Sequence, residues 1–176
     1  FSRQFCQALV GRWNDVDATT CGILMNGENW QALNLLADRF GQKVTSVFID
    51  PPYNTGVDGF PYKDNYQHSS WLTMMRDRLV AGRRLMAREA LFFATIDFVE
   101  VSRLRLLCDS VFGDANFIAD VAWEKRYTRS NNAKLFYSLK DTVLIYQNSS
   151  DVALLREPRS DKSRGNYTNP DGDSRG

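Results

Sequence analysis

The feature that most constrains the fold is a β-branched, largely apolar run from Val44 to Ile49 that stops abruptly at Asp50-Pro51-Pro52. Such a run is typical of a strand buried on both faces, as in a parallel sheet. A second apolar run, Leu91 to Ile96, also ends at an aspartate, Asp97. Strand and helix patterns alternate as β-α-β-loop-α-β-α-β-β, and this order predicts an α/β layer fold. Ligands of such sheets bind beyond the carboxyl ends of the strands, where Asp50 and Asp97 lie.

The remaining elements follow from apolar spacing and turn residues. Helical spacing predicts one helix from Trp30 to Phe40 with Gly41 as its stop, and a second whose apolar face carries Leu72, Met75, Leu79 and Met86. We expect Ser69 or Ser70 to cap that second helix, after a loop that begins at Tyr53. Further predicted elements are a strand over 22–25, a helix over 101–111 and strands over 117–123 and 142–146.

Composition excludes several classes of protein. The 176 residues include one histidine, His68, and three widely spaced cysteines without a CxxC pair, so His-rich zinc sites, zinc ribbons and two-histidine relays are excluded. The cysteine pattern fits a reducing cytoplasm. No run of eighteen apolar residues is present, so we expect no membrane span. The net charge is +1, which excludes a strongly polybasic protein but not a local basic surface.

The Asp50–Tyr53 segment predicts chemistry on a planar amine. Two prolines give a stiff segment without N–H donors, so we expect their carbonyls to lack local partners and to face a pocket. The Asp50 carboxylate and the Pro51 carbonyl are then two fixed acceptors, with the Tyr53 ring beside them. Accepting both hydrogens of an exocyclic NH2 returns the nitrogen lone pair from the ring and stabilises the positive charge that develops in the transition state. No histidine is needed, and a nucleic-acid base must leave its helix to reach such a pocket.

The run Asp50-Pro51-Pro52-Tyr53-Asn54-Thr55-Gly56 resembles the catalytic motif of amino-methylating DNA methyltransferases. It is most similar to that of the adenine methyltransferases that form the modification (Mod) subunits of type III restriction systems. The resemblance covers roughly residues 23 to 176. Its other motifs are Phe60-x-Tyr62-x-Asp64, Trp71-Leu72-x-x-Met75-x-x-Arg78-Leu79, Ile96-Asp97-Phe98-Val99-Glu100, Val111-Phe112-Gly113-Asp114-x-Asn116-Phe117-Ile118, Trp123-x-Lys125 and Tyr167-x-Asn169-Pro170-Asp171-Gly172-Asp173.

This resemblance implies a Rossmann-like methyltransferase fold: a partial, mixed sheet with helices on both faces. It implies S-adenosyl-L-methionine as the methyl donor and adenine, flipped out of double-stranded DNA, as the acceptor. Asp50 and Pro51 would hold the amino group, Tyr53 would stack on the base, and Pro52 completes the catalytic set. It also implies a second copy of the chain and a restriction subunit as candidate partners. The cofactor-binding residues it suggests are Gly27, Glu28, Asn29, Asn54 and Thr55, where Glu28 replaces the aspartate usual in the family.

One family element is absent. A Phe-x-Gly-x-Gly loop wraps the methionine end of the cofactor in these enzymes, and no such cluster occurs in this sequence. We therefore expect a fragment: a lead-in over 1–22, the catalytic half over 23–150, and a polar segment over 151–176 that leads into a missing C-terminal part. We expect the isolated chain not to methylate DNA.

The charge distribution suggests where DNA binds. Residues 124–176 carry 10 Lys and Arg against 7 Asp and Glu. Lys125, Arg126, Arg129 and Lys134 lie among aromatic residues, a composition that suits contact with a nucleic-acid backbone. Asp97 and Glu100 could contact DNA, shape the pocket, or only end a strand and cap a helix. Two further functions stay open: a cytosine-amino or RNA methyltransferase, and a non-catalytic DNA-binding module with this fold.

Overall fold

The computed structural model describes residues 2–56, 63–125, 138–150 and 152. The helices are α1 (Arg3–Val10), α2 (Val16–Thr19), α3 (Asn29–Phe40), α4 (His68–Leu85) and α5 (Val101–Phe112), with a short 3-10 turn at Asp114–Asn116. The strands are β1 (Val44–Ile49), β2 (Met86–Ile96), β3 (Phe117–Glu124) and β4 (Lys140–Gln147). The order of α3 to β4 along the chain confirms the predicted α/β class.

The four strands form one mixed sheet in the order β1-β2-β4-β3. β1 is parallel to β2, with Ile49 opposite Ala94. β4 is antiparallel to both β2 and β3, with Ile96 opposite Thr142 and Trp123 opposite Asp141. The carboxyl ends of β1, β2 and β3 therefore meet the amino end of β4 at one edge of the sheet.

The hydrophobic core lies between one face of the sheet and the pair α4 and α5. Its fully or almost fully buried side chains come from the sheet, α4 and α5, and α3 packs against α4. Burial of this apolar surface is the main force that holds the layers together. The largest of these side chains are Trp71, Phe92, Leu104, Phe112, Leu144 and Tyr146.

The opposite face of the sheet remains open. Phe48, Val121 and Trp123 on that face are 64%, 43% and 63% exposed. No helix of the described residues packs extensively on it, so the helices expected on both faces are seen on one only. The prediction that β1 is buried on both faces is wrong, because Phe48 lies on the open face of the sheet and is 64% exposed.

Local chemistry explains where the helices begin and end. The Glu28 carboxylate accepts the Gln31 N–H at 3.0 Å and so caps α3, and Gly41 follows as predicted. Gly113 ends α5 at φ +92°, a conformation that favours glycine.

Three predictions about element boundaries are wrong. Residues 22–25 form no strand, since within the described residues no strand pairs with them, and Leu24 is 99% exposed. Neither Ser69 nor Ser70 caps α4, which begins earlier, at His68, with Gln67 at the cap position. Met86 belongs to β2 and not to the helix, because α4 passes directly into the strand.

Two other findings concern the cysteines and membrane spans. Cys6 and Cys21 are exposed free thiols, and Cys108 is a buried one; burial raises the pKa of Cys108 to about 12. Among the residues that the structure describes, no helix has the length and apolar character needed to cross a membrane.

Candidate active site

Asp50 and Asp97 lie side by side at the same edge of the sheet. Each directly follows a strand, and the two strands are adjacent and parallel. Asp50 is exposed, whereas Asp97 is 4% exposed and accepts the N–H of Val99 at 2.8 Å. Asp97 therefore shapes the turn into α5, and Asp50 is the carboxylate that a ligand can reach.

The Asp50 carboxylate is held by a hydroxyl from the neighbouring strand. Oγ1 of Thr95 donates to Oδ1 of Asp50 at 2.6 Å. A carboxylate offers about four acceptor positions, so Asp50 can still accept hydrogen bonds from an amino group. The exposed acceptor is thus fixed in orientation before any ligand arrives.

The two proline carbonyls differ in their availability. The carbonyl of Pro52 accepts the Nε1–H of Trp71, a donor distant in sequence, at 2.9 Å, so the expectation that this carbonyl faces a pocket is wrong. Trp71 lies in the first turn of α4 and is fully buried, which anchors the turn to the core. Within the described part of the chain, the Pro51 carbonyl has no hydrogen-bond partner, so it is the proline acceptor that can serve a ligand.

Tyr53 is partly buried beside the two acceptors. Burial raises the pKa of its hydroxyl; a hydrogen bond from Thr95 acts in the opposite direction, and the carboxylates of Asp50 and Asp141 raise the pKa further. Tyr53 is therefore neutral over the physiological pH range. A neutral ring that is fixed next to Asp50 is suited to stacking against a planar base.

Asn54 and Thr55, predicted as cofactor residues, bond to the chain itself. Asn54 is 7% exposed; its Oδ1 accepts the Tyr66 N–H at 2.5 Å, and its Nδ2 donates to the Tyr66 carbonyl at 3.0 Å. Oγ1 of Thr55 lies 3.3 Å from Oδ2 of Asp64, which also accepts the N–H of Gly56 at 2.7 Å. These bonds hold the turn that follows the Asp-Pro-Pro-Tyr segment.

Two cavities meet at Asp50 and Phe48. The first, of about 470 Å³, lies between the start of α3, the end of β1 and α4. The second, of about 520 Å³, lies on the open face of the sheet, beside Tyr53 and Trp123. Cavities of this size accommodate a nucleoside-sized ligand. Asp50 therefore lies between two spaces that could hold two reactants.

The predicted cofactor residues at the start of α3 have different surroundings. Asn29 lines the first cavity together with Asp50. Glu28 caps α3 and forms an ion pair with Arg78, which also lines that cavity. A backbone hydrogen bond from Gln31 is the largest cause of the lowered pKa of Glu28. Among the described residues, none beyond the two chain neighbours of Gly27 has an atom within 4 Å of where a Gly27 side chain would begin.

Of the predicted DNA-binding residues, the structure describes Lys125. Its Nζ lies 2.6 Å from Oδ1 of Asp141, at the edge of the sheet that carries Asp50. Arg126, Arg129 and Lys134 lie outside the described residues, as do Phe60 and Tyr62.

Three residues of the site were not found by sequence reasoning: Thr95, Trp71 as a hydrogen-bond donor, and Asp141. Each reaches the Asp50 turn from an element distant in sequence. Thr95 had one available signal, since it is the polar residue in an otherwise apolar strand run. Asp141 stands at the start of β4 and gave no such signal.

Comparison with known proteins identifies similar sequences. A family model described as DNA methylase (N6_N4_Mtase) matches residues 44–175. The chain is 38% identical over 121 residues to a protein of Haemophilus influenzae (strain Rd) described as the Mod subunit of the type III restriction-modification enzyme HindVI. That match covers 69% of this chain and 16% of the relative. The chain is also 29% identical over 166 residues to the StyLTI Mod subunit of Salmonella typhimurium (strain LT2). This second match covers 78% of this chain and 26% of that subunit.

Comparison with solved structures supports the fold. TTHA0409 of Thermus thermophilus, described as a DNA modification methylase and crystallised with S-adenosyl-L-methionine, superposes with a TM-score of 0.54 at 13% identity. The match covers 81% of this chain and 58% of that protein. The chain thus has the fold of these proteins and spans about a quarter or less of the two Mod subunits.

Proposed function

Since this chain belongs to the DNA methylase family, we propose that the protein transfers a methyl group from S-adenosyl-L-methionine to the exocyclic amino group of adenine in DNA. The observation that carries the proposal is the Asp50 carboxylate, fixed by Thr95 at 2.6 Å where two cavities meet. Methyl transfer between two bound reactants needs such a geometry, in which the carboxylate that accepts the amino hydrogens lies between the space for the methyl donor and the space for the base.

The chemistry follows from the acceptors of the turn. The Asp50 carboxylate and the Pro51 carbonyl accept the two amino hydrogens, which favours the pyramidal amine and returns its lone pair to the nitrogen. As the nitrogen becomes bonded to the methyl group, the bond from the methyl group to the sulfonium would break and leave a thioether. The positive charge on the nitrogen is stabilised by the same fixed acceptors until one amino proton is lost to solvent. The neutral Tyr53 ring stacks on the base and keeps the amine in line.

The side chains that line the first cavity match the chemical groups of the proposed cofactor. Its lining combines the Asn29 amide, the Lys63 ammonium and the Arg78 guanidinium with the apolar side chains of Phe48 and Met74. Cations suit a carboxylate, and the apolar side chains suit a nucleoside ring. When bound, S-adenosyl-L-methionine supplies an electrophilic methyl group on its sulfonium. Asn29, Glu28 and Gly27 at the start of α3 would hold it, while Asn54 and Thr55 act by shaping the turn.

The second cavity fits the base. It is lined by Tyr53, Phe93 and Trp123 with Thr95 and Asp141 at the polar end. Aromatic side chains commonly hold a flipped base, and the open face of the sheet lets such a base enter from solvent. The similarity to Mod subunits of type III systems supports adenine. Cytosine as the acceptor base and a non-catalytic DNA-binding role are alternative outcomes of the test below, and methyl incorporation into RNA in the same assay would show an RNA substrate.

The partners and the cellular location are part of the proposal. Relatives described as Mod subunits of restriction-modification enzymes support a restriction subunit as a partner. A second copy of the chain is the other partner that we propose. Their bacterial sources, and the three free cysteines, support the bacterial cytoplasm. We also propose the unit boundaries expected from the sequence: a lead-in over 1–22, a catalytic half over 23–150 and a polar segment over 151–176.

The test is Asp50→Ala in the full-length natural protein. We expect methyl incorporation into duplex DNA to fall by at least about 10²- to 10³-fold, because one of the fixed acceptors is removed. Asp38→Ala, on the exposed side of α3, is the matched control and should leave the rate unchanged. Nucleoside analysis of the product should give N6-methyldeoxyadenosine, whereas N4-methyldeoxycytidine would identify cytosine as the acceptor base. An unchanged rate in Asp50→Ala would refute the catalytic role of Asp50.

A further inference from the structure

A fully buried carboxylate that takes no part in the proposed transfer lies directly behind the Asp50–Tyr53 turn. Glu100, at the start of α5, is 0% exposed. Its Oε1 accepts the Nδ2–H of Asn54 at 2.6 Å and lies 2.6 Å from Nδ1 of His68. Its Oε2 lies 3.5 Å from Nη1 of Arg103. Burial prevents Glu100 from touching DNA, so its role must pass through the residues it contacts.

Asn54 connects Glu100 to the site. It follows Tyr53 directly and has a φ of +62°, a left-handed conformation that few residues besides glycine and asparagine adopt readily. Its amide bonds to both backbone groups of Tyr66 and to Glu100. Because no residue separates Asn54 from Tyr53, a change in the Asn54 conformation would move the Tyr53 ring and the Pro51 carbonyl together.

The contact is of a kind that fixes geometry. A hydrogen bond to an ionised carboxylate is about twice as strong as a neutral one. Asn54 and Glu100 are both buried, and the low dielectric of a buried site strengthens the bond. Together with the hydrogen bonds between Asn54 and Tyr66, the contact joins three segments that are far apart in sequence: the turn after β1, the loop before α4 and the turn after β2. Without Glu100, the buried amide of Asn54 would lose one acceptor, and the left-handed turn would lose one of its supports.

We infer that Glu100 is a positioning residue for methyl transfer, which acts by holding Asn54 and thereby the acceptors and the stacking ring of the Asp50–Tyr53 turn. This inference rests on the proposed function. Displacement of a reacting group by about 1 Å can cost roughly 10²-fold in rate, so the expected effect is on turnover and not on binding.

The first experiment compares Glu100→Ala with Glu100→Gln in the full-length natural protein. We expect Glu100→Ala to lower kcat about ten- to hundredfold while KM for DNA and for S-adenosyl-L-methionine changes less than about threefold. Glu100→Gln should restore most of kcat, because an amide oxygen can still accept the Asn54 Nδ2–H. Glu89→Ala, an exposed glutamate in β2, is the control for removal of a charge.

A double-mutant cycle tests whether the effect passes through Asn54. Asn54→Gly keeps the positive φ but removes the amide, so it should lower kcat as Glu100→Ala does, and the double variant should be little worse than the more impaired single variant. Additive losses would overturn the inference. Asn54→Gly also carries the test if Glu100→Ala does not fold.

Hydrogen exchange gives a readout that does not depend on activity. The Tyr66 amide, which donates to Asn54, should exchange faster in Glu100→Ala and at the original rate in Glu100→Gln. A lower Tm with unchanged kcat and unchanged exchange at Tyr66 would show a merely structural role. If Asp50→Ala retains methylation, the proposed function fails instead, and the exchange data still decide whether Glu100 holds the turn.

Discussion

At the scale of single residues, Thr95 sets the orientation of the carboxylate on which the proposed reaction depends. Its hydroxyl donates to Asp50 at 2.6 Å from the adjacent strand. Thr95→Val keeps the shape of the side chain and loses the donor. We expect kcat for DNA methylation to fall roughly 10- to 150-fold, in line with the roughly 1.5–3 kcal/mol of a hydrogen bond to a charged group. Steady-state methylation assays on the full-length natural protein measure this effect.

Thr95→Ser is the matched control for that experiment. Serine keeps the hydroxyl on the same carbon and should retain most of the activity. A Thr95→Val protein with the original kcat would show that Asp50 does not need this contact.

The part of the site that sequence predicts is the part that is contiguous in the chain. Asp50, Pro51 and Tyr53 are predicted because they follow one strand directly, and the structure places them together. Thr95 and Trp71 could not be found in this way, since they reach the turn from 45 and 19 residues away in sequence. The expectation that the Pro52 carbonyl faces a pocket is wrong for the same reason. Proline chemistry predicts that local donors are absent, whereas the donor, Trp71, is distant in sequence.

At the scale of elements, α5 shows how one buried face anchors a helix to the sheet. Leu104 is 0% exposed in the core, whereas Leu106 on the same helix is 71% exposed. We expect Leu104→Ala to lower the free energy of unfolding by about 2–5 kcal/mol, because it leaves a cavity in a packed core. Leu106→Ala is the same substitution on the solvent side and should change it by less than about 0.5 kcal/mol.

Urea denaturation followed by circular dichroism measures both variants. Equal losses would mean that α5 is not anchored through its Leu104 face. Equal m-values are needed for the comparison, since a changed slope indicates a changed denatured or native state.

Elements with their own local signals were predicted well. α3 has a capping residue, an apolar stripe and a terminal glycine, and its predicted range agrees with the structure to within a residue. The junction of α4 and β2 has no glycine or proline to mark it, so the apolar Met86 was assigned to the wrong element. Residues 22–25 carry a strand-like pattern, but a strand also needs a partner, and sequence pattern does not reveal which edge is available.

At the scale of the whole molecule, strand order decides what an apolar pattern means. The runs 44–49 and 91–96 look alike in sequence, yet β2 lies inside the sheet and β1 at its edge. On the face that packs against the helices, alternate residues of β2 are therefore buried, while Val47 and Ile49 of β1 are only half-buried. Long-range topology, which periodicity does not encode, accounts for this difference and for the aromatic cavity beside Asp50.

The charge distribution of the molecule gives a prediction for DNA binding. Arg129 and Lys134 belong to the basic stretch that begins at Lys125, at the edge of the sheet that carries Asp50. If both bind phosphates, Arg129→Gln with Lys134→Gln should reduce the slope of log K against log salt by about 1.8, because each neutralised phosphate of duplex DNA adds about 0.9 to the slope. Fluorescence anisotropy of a labelled duplex between 50 and 200 mM salt, about the range over which such interactions are screened, measures the slope.

The control makes the same change of charge at the other end of the sheet. Arg84 and Arg88 flank the start of β2, whereas Asp97 follows its end. The intervening strand residues, at about 3.3 Å each, separate the two ends by more than the Debye length of about 10 Å. Arg84→Gln with Arg88→Gln should therefore leave the slope unchanged. Equal reductions in both double variants would mean that DNA binding follows net charge alone, and that the edge carrying Asp50 is not where the duplex lies.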